Sequence, residues 1–148
     1  MEEKRYIGLD YGGRRIGVAV SDPGGSLALS LDTLTVSGDN DAVRQLAKLI
    51  EEYQPVGIVI GLPLNLSGGE SEVSGKVRHF ADKLKEVFNL PVYLEDERLS
   101  SRLAESVLHS HGKKIKGHKE KIDRISAVLI LQSFFDRSAN KSNDTQSD

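Results

Sequence analysis

The first third of the chain contains three short segments, two apolar runs and one alternating segment, that are separated by glycine turns and predict three strands. Residues 6–10 and 16–20 are short apolar runs joined by a turn that contains two glycines. Such a pair of runs is typical of a hairpin, so the two strands are expected to be antiparallel. Residues 27–36 follow a second glycine turn and again alternate apolar with polar positions, which predicts a third strand.

The pattern then changes to a helical period and alternates between helix and strand. Residues 39–53 have apolar positions on one helix face, and Asp39 or Asn40 can cap the helix. Residues 56–61 are mostly β-branched and predict a strand buried on both faces. A second helix carries the apolar stripe Val73, Val77, Phe80, Ala81, Leu84 and Val87, and residues 90–97 form a last strand that ends in acidic residues.

Two further helices are predicted, over residues 99–109 and about 119–136. Helices between the later strands imply right-handed crossovers and a parallel arrangement. The predicted fold class is therefore α/β, a mixed five-stranded sheet with antiparallel hairpins first, parallel strands later, and helices on its faces. We predict one domain over residues 1–137 and a polar, disordered tail over residues 138–148.

Composition excludes several classes of protein. The chain has 148 residues and no cysteine, which rules out disulfides, thiol catalysis and thiolate metal sites. Its longest aliphatic run, residues 128–131, is far shorter than the roughly 20 residues of a membrane span. The amino terminus has no apolar signal segment. We therefore expect a cytoplasmic protein with no membrane partner.

The charge is distributed unevenly. The formal net charge is −2, but residues 109–124 contain six lysines or arginines and only two acidic residues. Three histidines lie in or beside this segment with a spacing that matches no usual zinc site. A basic segment on an acidic protein indicates contact with a polyanion such as nucleic acid, and a solvated lysine-rich loop is the alternative.

Acidic residues lie where the predicted sheet gathers functional groups, at strand ends and adjoining loops. Asp10 ends the first strand, Asp96 or Glu97 ends the last, and Asp123 lies in the first turn of the final helix. Converging carboxylates repel one another, and Mg²⁺ or Mn²⁺ relieves the repulsion and can activate water against a phosphodiester. Taken singly, Asp10 could cap its turn, Asp96 or Glu97 could cap the next helix, and Asp123 could be an exposed acid.

Four segments resemble the YqgF/RuvX family in order and spacing. They are residues 7–22 (IGLDYGGRRIGVAVSD), 60–65 (IGLPLN), 96–100 (DERLS), and 122–123 with 127–132 (ID and AVLILQ). The resemblance implies a ribonuclease H-like fold. It also implies a nuclease, described both as a Holliday junction resolvase and as the enzyme that trims the precursor of small-subunit ribosomal RNA.

Carried onto this chain, the resemblance makes Asp10, Glu97 and Asp123 the catalytic acids and the ligands of Mg²⁺ or Mn²⁺. Glu97 is favoured over Asp96 because neighbouring strand residues point to opposite faces and only one can face the site. The chain departs from many relatives in its turn, which has Gly-Gly-Arg-Arg where they have Gly-Thr-Lys. This change can alter substrate contacts but leaves the acidic residues in place.

The leading hypothesis is a metal-dependent endonuclease acting on structured RNA, with DNA junctions as the alternative substrate and a monomer or weak homodimer as the active form. Its affinity for nucleic acid should fall steeply with salt. An actin-like ATP-handling protein and a non-catalytic RNA-binding module are the rival classes. The residues predicted to contact phosphates are Arg14, Arg15, Arg98, Lys113, Lys114, Lys116 and Lys121.

Overall fold

The computed structural model describes residues 3–64, 67–97 and 119–146, with the side chains of the last helix described over residues 122–138. Five strands and three helices lie in these ranges. In chain order they are β1 (Tyr6–Tyr11), β2 (Arg15–Ser21), β3 (Ala28–Thr35), α1 (Asp39–Tyr53), β4 (Gly57–Leu62), α2 (Glu72–Phe88), β5 (Val92–Asp96) and α3 (Lys119–Gln146).

The strands form one mixed sheet in the order β3-β2-β1-β4-β5. β1 pairs antiparallel with β2, and β2 pairs antiparallel with β3. On its other edge β1 pairs parallel with β4, which pairs parallel with β5. The predicted division into antiparallel hairpins and a later parallel part is confirmed, as is the burial of every residue of β4.

The period of two along each strand divides the sheet into two faces. On β1, Ile7 and Leu9 belong to a core packed against α1 and α2, together with Leu46 and Phe80. The other face is covered by α3, whose Ala127, Ile130, Leu131 and Phe135 pack on Ala19 of β2 and Val59 of β4. Every second residue of the central strands is therefore directed toward α3.

The first helix begins differently from the prediction. Gly38 is the N-cap residue and makes no side-chain hydrogen bond, so the prediction of Asp39 or Asn40 as the cap is wrong. Asp39 is the first helical residue, and its Oδ1 accepts a hydrogen bond from the Tyr11 hydroxyl at 2.7 Å. The carboxylate of Asp41 accepts from the Ser37 backbone N–H at 2.9 Å, which satisfies a backbone group that precedes the helix.

The stripe predicted for α2 is buried only in the middle of the helix. Val77, Phe80, Ala81 and Leu84 lie in the core, whereas Val73 and Val87 near the two ends are both 52% exposed. The core therefore buries only the middle of the helix. Ser71 caps α2 in a reciprocal pair of hydrogen bonds with Ser74.

The last helix is longer than the sequence predicts. It continues from the predicted end at Asp136 to Gln146, through most of the segment 138–148 for which a disordered tail is expected. No proline or glycine follows Asp136, so no residue type in the segment stops a backbone helix. The helix predicted over residues 99–109 and the basic segment up to residue 118 lie outside the described residues. In the ranges given above, no helix has the length and apolar character needed to cross a membrane.

Candidate functional site

The structure brings the three predicted acids to the α3 face of the sheet. Asp10 lies near the end of β1, on the same side as Gly8, where a side chain would meet Leu131 of α3 at 2.8 Å. Glu97 directly follows β5, and its backbone N–H donates to the Leu62 carbonyl at the end of β4. Asp123 is the fifth residue of α3. We call Asp10, Glu97 and Asp123 the acidic triad.

Asp10 and Glu97 are in direct contact. Burial raises the pKa of Asp10 to about 6 and the pKa of Glu97 to about 8, and the charges of Asp123 and Asp10, respectively, add to these shifts. The hydrogen bond between the two carboxyl groups raises the pKa of Glu97 and lowers that of Asp10. The directions of the two shifts favour a proton shared by the pair, with Glu97 as the donor and Asp10 as the acceptor. We call these two residues the acid pair.

The acid pair forms across β4 because β4 has a glycine at the crossing point. Gly61 lies between the β1 and β5 ends, and a Cβ there would clash with the Glu97 carboxyl group and lie 2.5 Å from Ile130 Cδ1. Without that Cβ, Glu97 reaches over the strand toward Asp10. A glycine inside a strand is the sequence signal for such a close approach. Gly61 is therefore a residue of the site that the pattern of acidic residues does not reveal.

Asp123 is close enough for its charge to raise the pKa of Asp10, but its carboxylate has a cationic partner. Arg15 Nε donates to Asp123 Oδ2 at 2.9 Å. Arg15 is predicted from the sequence to contact phosphate, and the structure places it at the edge of the site on the third acid. Arg15 and the acidic triad therefore form one charged cluster at the ends of β1, β2 and β5.

The position of Asp123 depends on a second glycine. A Cβ on Gly17 of β2 would overlap the backbone carbonyl of Asp123, and it would lie 3.1 Å from the Asp123 Cβ. The start of α3 therefore rests directly on the β2 backbone. A methyl group added at Gly17 would meet backbone atoms, which cannot rotate away as a side chain can. The absence of a side chain at Gly17 therefore allows Asp123 to lie close to Asp10.

The acid pair is suited to a hard divalent cation. Two half-buried carboxyl groups that share a proton become two oxygen ligands when a cation replaces that proton, and Mg²⁺ is commonly held by one or two carboxylates and several waters. Within the described ranges, no group of three acidic or histidine side chains converges as a metal site. Asp123 instead forms an ion pair with Arg15. Of the three predicted ligands, only Asp10 and Glu97 are therefore positioned together to bind a cation.

The remaining predicted residues have varied positions. Asp96 is exposed and lies on the opposite side of β5 from Glu97, as the period of two requires. Arg14 is exposed in the turn between β1 and β2. Lys121 belongs to the first turn of α3, where only the backbone is described. The other predicted phosphate contacts lie outside the described residues: Arg98, Lys113, Lys114 and Lys116.

A further buried acid, Glu95, lies two residues before Glu97 and was not identified from the sequence. Its side chain is 6% exposed, accepts a hydrogen bond from the Ser133 hydroxyl at 3.2 Å, and forms an ion pair with Arg137. These partners both come from α3. Glu95 is therefore a structural residue that fixes α3 on the sheet, because a buried carboxylate is tolerated when it is paired and hydrogen-bonded.

The raised pKa values predict a pH-dependent stability for the metal-free protein. In the folded state, each of the two carboxyl groups keeps its proton at pH values above its pKa in the unfolded chain. Its contribution to stability is therefore complete below about pH 4. The contribution is lost as the pH rises toward about 6 for Asp10 and about 8 for Glu97. The free energy of unfolding in chelator should therefore fall between about pH 5 and about pH 8.5. Urea unfolding at the two pH values measures this fall in the free energy of unfolding.

The variant Glu97→Gln isolates the contribution of the acid pair to this pH dependence. It removes the group with the larger shift, so the fall in the free energy of unfolding should be clearly smaller than in the unmodified chain. All other titratable groups are common to both proteins, so the difference between the two slopes reports on Glu97. Equal slopes would show that Glu97 is not protonated in the folded state.

Solved structures share the fold of this chain. RuvC of Thermus thermophilus in complex with a Holliday junction substrate superposes with a TM-score of 0.59, over 92% of this chain and 96% of that one, at 15% identity. The fowlpox virus resolvase in complex with Holliday junction DNA gives a TM-score of 0.56, over 90% and 97% of the two chains, at 12% identity. The fold is thus the ribonuclease H-like fold of these resolvases.

Sequence comparison identifies closer relatives. The chain is 46% identical over 133 residues to a protein of Koribacter versatilis named as a candidate pre-16S rRNA nuclease, covering 90% of this chain and 87% of that protein. It is 43% identical over 126 residues to a protein of the same name from Rickettsia typhi, covering 85% and 81%. The sequence model of the RuvX family, described as Holliday junction resolvase, matches residues 4–137. The chain therefore belongs to the RuvX family.

Proposed function

We propose that this chain is a metal-dependent endonuclease that hydrolyses phosphodiester bonds of structured nucleic acid and matures the 5′ end of pre-16S ribosomal RNA. The observation that carries the proposal is the acid pair, Asp10 and Glu97, half-buried and in contact with each other, with Asp123 nearby. The names of the relatives, at 43% and 46% identity, favour ribosomal RNA as the substrate. This substrate would place the enzyme in the cytoplasm.

The acidic triad would hold Mg²⁺ or Mn²⁺, with the acid pair as its first two ligands. Nucleases of the RuvC-like fold generally depend on a divalent metal. A bound divalent ion would supply charge neutralisation and stabilise negative charge on the phosphodiester. For the site to bind a cation, Glu97 gives up its proton, which can pass to solvent through the exposed side of the site. Asp123 would become the third ligand once its carboxylate exchanges Arg15 for the cation.

Arginines at the edge of the site would position the substrate backbone. Arg15 borders the acidic triad and Arg14 is exposed in the adjacent turn, so both can approach a phosphate near Asp10. Arg98 and the basic segment that contains Lys113, Lys114, Lys116 and Lys121 would contact flanking phosphates. Each such contact releases counterions, so binding weakens steeply as salt is raised. In this proposal the acidic triad binds the metal ion for phosphodiester hydrolysis, and the basic residues bind the nucleic-acid backbone.

Resolution of Holliday junctions is the second candidate function. It is favoured by the description of the RuvX family model that matches residues 4–137. A resolvase cuts two strands in a symmetric pair and therefore requires a two-fold dimer, whereas trimming of one RNA end requires a single active site. A monomer or weak homodimer fits the RNA substrate better. The acidic triad would have the same role in both reactions.

The two substrates are distinguished by a direct comparison. The purified protein is incubated with a ribosomal RNA precursor that carries the immature 5′ end, and separately with a synthetic four-way DNA junction. Each reaction contains Mg²⁺, Mn²⁺ or chelator, and Glu97→Gln serves as the inactive variant. We expect metal-dependent cleavage of the RNA at one end, lost in chelator and in the variant.

Other outcomes of this assay reject parts of the proposal. Paired symmetric nicks in the junction, with no cleavage of the RNA, would replace the ribosomal substrate with branched DNA and imply a dimer. Binding to either substrate without cleavage under any metal condition would show a non-catalytic module. Cleavage that persists in chelator would reject the metal dependence and with it the role of the acid pair.

A further inference from the structure

A cleft of about 710 Å³ lies beside the turn between β1 and β2, on the side of the sheet that α1 and α2 cover. Its volume falls within the range of about 300–1,000 Å³ that is common for sites binding small organic molecules. The acidic triad does not line it. The walls come from the end of β1 and the following turn, the first residue of α1, and the first two turns of α2.

The cleft and the acid pair lie on two sides of the same strand end. Asp10 is directed toward α3, and the next residue, Tyr11, forms part of the cleft wall. Successive residues of a strand point to opposite faces, so the two sites lie on opposite faces of the sheet and meet at the end of β1, where Asp10 and Tyr11 are adjacent in the chain. A nucleic-acid strand with one phosphate at Asp10 would therefore bring a neighbouring nucleotide to the cleft.

One side of the cleft offers apolar surface to a nucleobase. Tyr11 stacks on Phe80, with ring centroids 4.6 Å apart, so its ring is held in a fixed position. Val73 also lines the cleft and is 52% exposed, although it belongs to the apolar stripe of α2. Side chains added at Gly13 or Gly75 would meet no atom within 4 Å, so the cleft is open above both residues.

The polar groups of the cleft complement the rest of a nucleotide. Lys76 and His79 are exposed in the lining and can donate to a phosphate oxygen. The exposed Glu72 adds a second acidic side chain to the lining beside Asp39. The Asp39 carboxylate, oriented by the Tyr11 hydroxyl, can accept a hydrogen bond from a ribose hydroxyl or a base N–H. An apolar wall, carboxylate acceptors and the N–H donors of Lys76 and His79 are groups that a nucleoside with its phosphate can contact.

We infer that this cleft binds the nucleotide adjacent to the scissile phosphate, with its base against Val73 and Tyr11 and its phosphate toward Lys76 and His79. The inference rests on the proposed nuclease function, because the nucleotide reaches the cleft as part of the substrate strand. The acid pair then acts on the bond and the cleft sets the register of the strand.

The test compares matched positions on α2. A fluorescent single-stranded oligoribonucleotide is titrated in chelator, so that binding is measured without cleavage. Lys76→Glu should weaken binding roughly tenfold and Val73→Gln about threefold. Lys85→Glu and Val87→Gln make the same changes at the other end of the helix, where Val87 is also 52% exposed, and should leave affinity within about twofold. All four side chains are exposed, so folding is retained.

The outcomes separate this inference from the proposed function. Equal affinities for the Lys76 and Lys85 variants and for the Val73 and Val87 variants would overturn the cleft as a nucleotide site, even if the protein cleaves RNA normally. Absence of any binding to the oligoribonucleotide would overturn it as well. Selective weakening at Lys76 and Val73 in a protein that cleaves neither RNA nor DNA would support the cleft and reject the nuclease function.

Discussion

Replacement of Asp10 by asparagine is expected to lower the rate of nucleic-acid cleavage by at least about 10³-fold while binding is retained. The asparagine amide has nearly the same shape and can still accept the hydrogen bond from Glu97, so the fold around β1 is preserved. It removes the negative charge that a divalent cation requires. Single-turnover cleavage and equilibrium binding in chelator measure the two effects separately.

Asp32→Asn provides the matched control for this change. Asp32 is also an aspartate on the sheet, but it is exposed on the edge strand β3, far in the strand order from β5. Its variant should cleave at the rate of the unmodified chain. A normal cleavage rate in Asp10→Asn would show that Asp10 is a structural carboxylate, and equal losses in both variants would point to a general effect of charge.

Gly17→Ala is expected to destabilise the fold by about 1–3 kcal/mol and to reduce cleavage at the same time. The new Cβ would overlap the backbone carbonyl of Asp123, so α3 must move away from β2. That movement opens the packing of α3 and displaces the third acid from Asp10. Urea unfolding gives the loss of free energy, and cleavage under conditions where the variant is fully folded gives the effect on the site.

Two other glycine substitutions test the reason for this effect. Gly61→Ala meets the end of the Glu97 side chain, which can move, and Ile130, which is fully buried in the core under α3, so it should lower both cleavage and stability. Gly75→Ala lies in α2 with no atom within 4 Å, and alanine there should stabilise the helix by about 0.5–1 kcal/mol. A similar loss of stability at Gly17 and Gly75 would contradict the close approach of α3 to β2.

The strands could be predicted because their pattern has a direct physical cause. The apolar runs of residues 6–10 and 16–20, like the continuous apolar run of β4, follow from burial of the central strands between α1 and α2 on one face and α3 on the other. Helix ends were less predictable. Polar residues flank the start of α1, but its N-cap is Gly38, and Asp39 instead accepts a hydrogen bond from Tyr11, a residue 28 positions away.

The acids of the candidate site could be predicted individually, but their relations could not. The period of two distinguishes Glu97 from Asp96, and the structure agrees by placing Glu97 against Asp10. The pairing of Arg15 with Asp123 joins residues 108 positions apart and depends on how α3 lies across β2. The same packing of α3 on the sheet explains why residues 17 and 61 are glycines, because a side chain at either position would clash with α3 or Glu97.

Binding of Mn²⁺ to the protein without nucleic acid tests the acid pair most directly as a metal site. Titration calorimetry would compare the unmodified chain with Glu97→Gln and with Asp96→Asn, the neighbouring acid on the opposite side of β5. We predict that Glu97→Gln weakens Mn²⁺ binding at least about tenfold, whereas Asp96→Asn leaves it within about twofold. Binding to the unmodified chain should strengthen from about pH 6 to about pH 8 as Glu97 loses its proton. Equal Mn²⁺ affinities in all three proteins would contradict the assignment of Asp10 and Glu97 as the metal-binding centre.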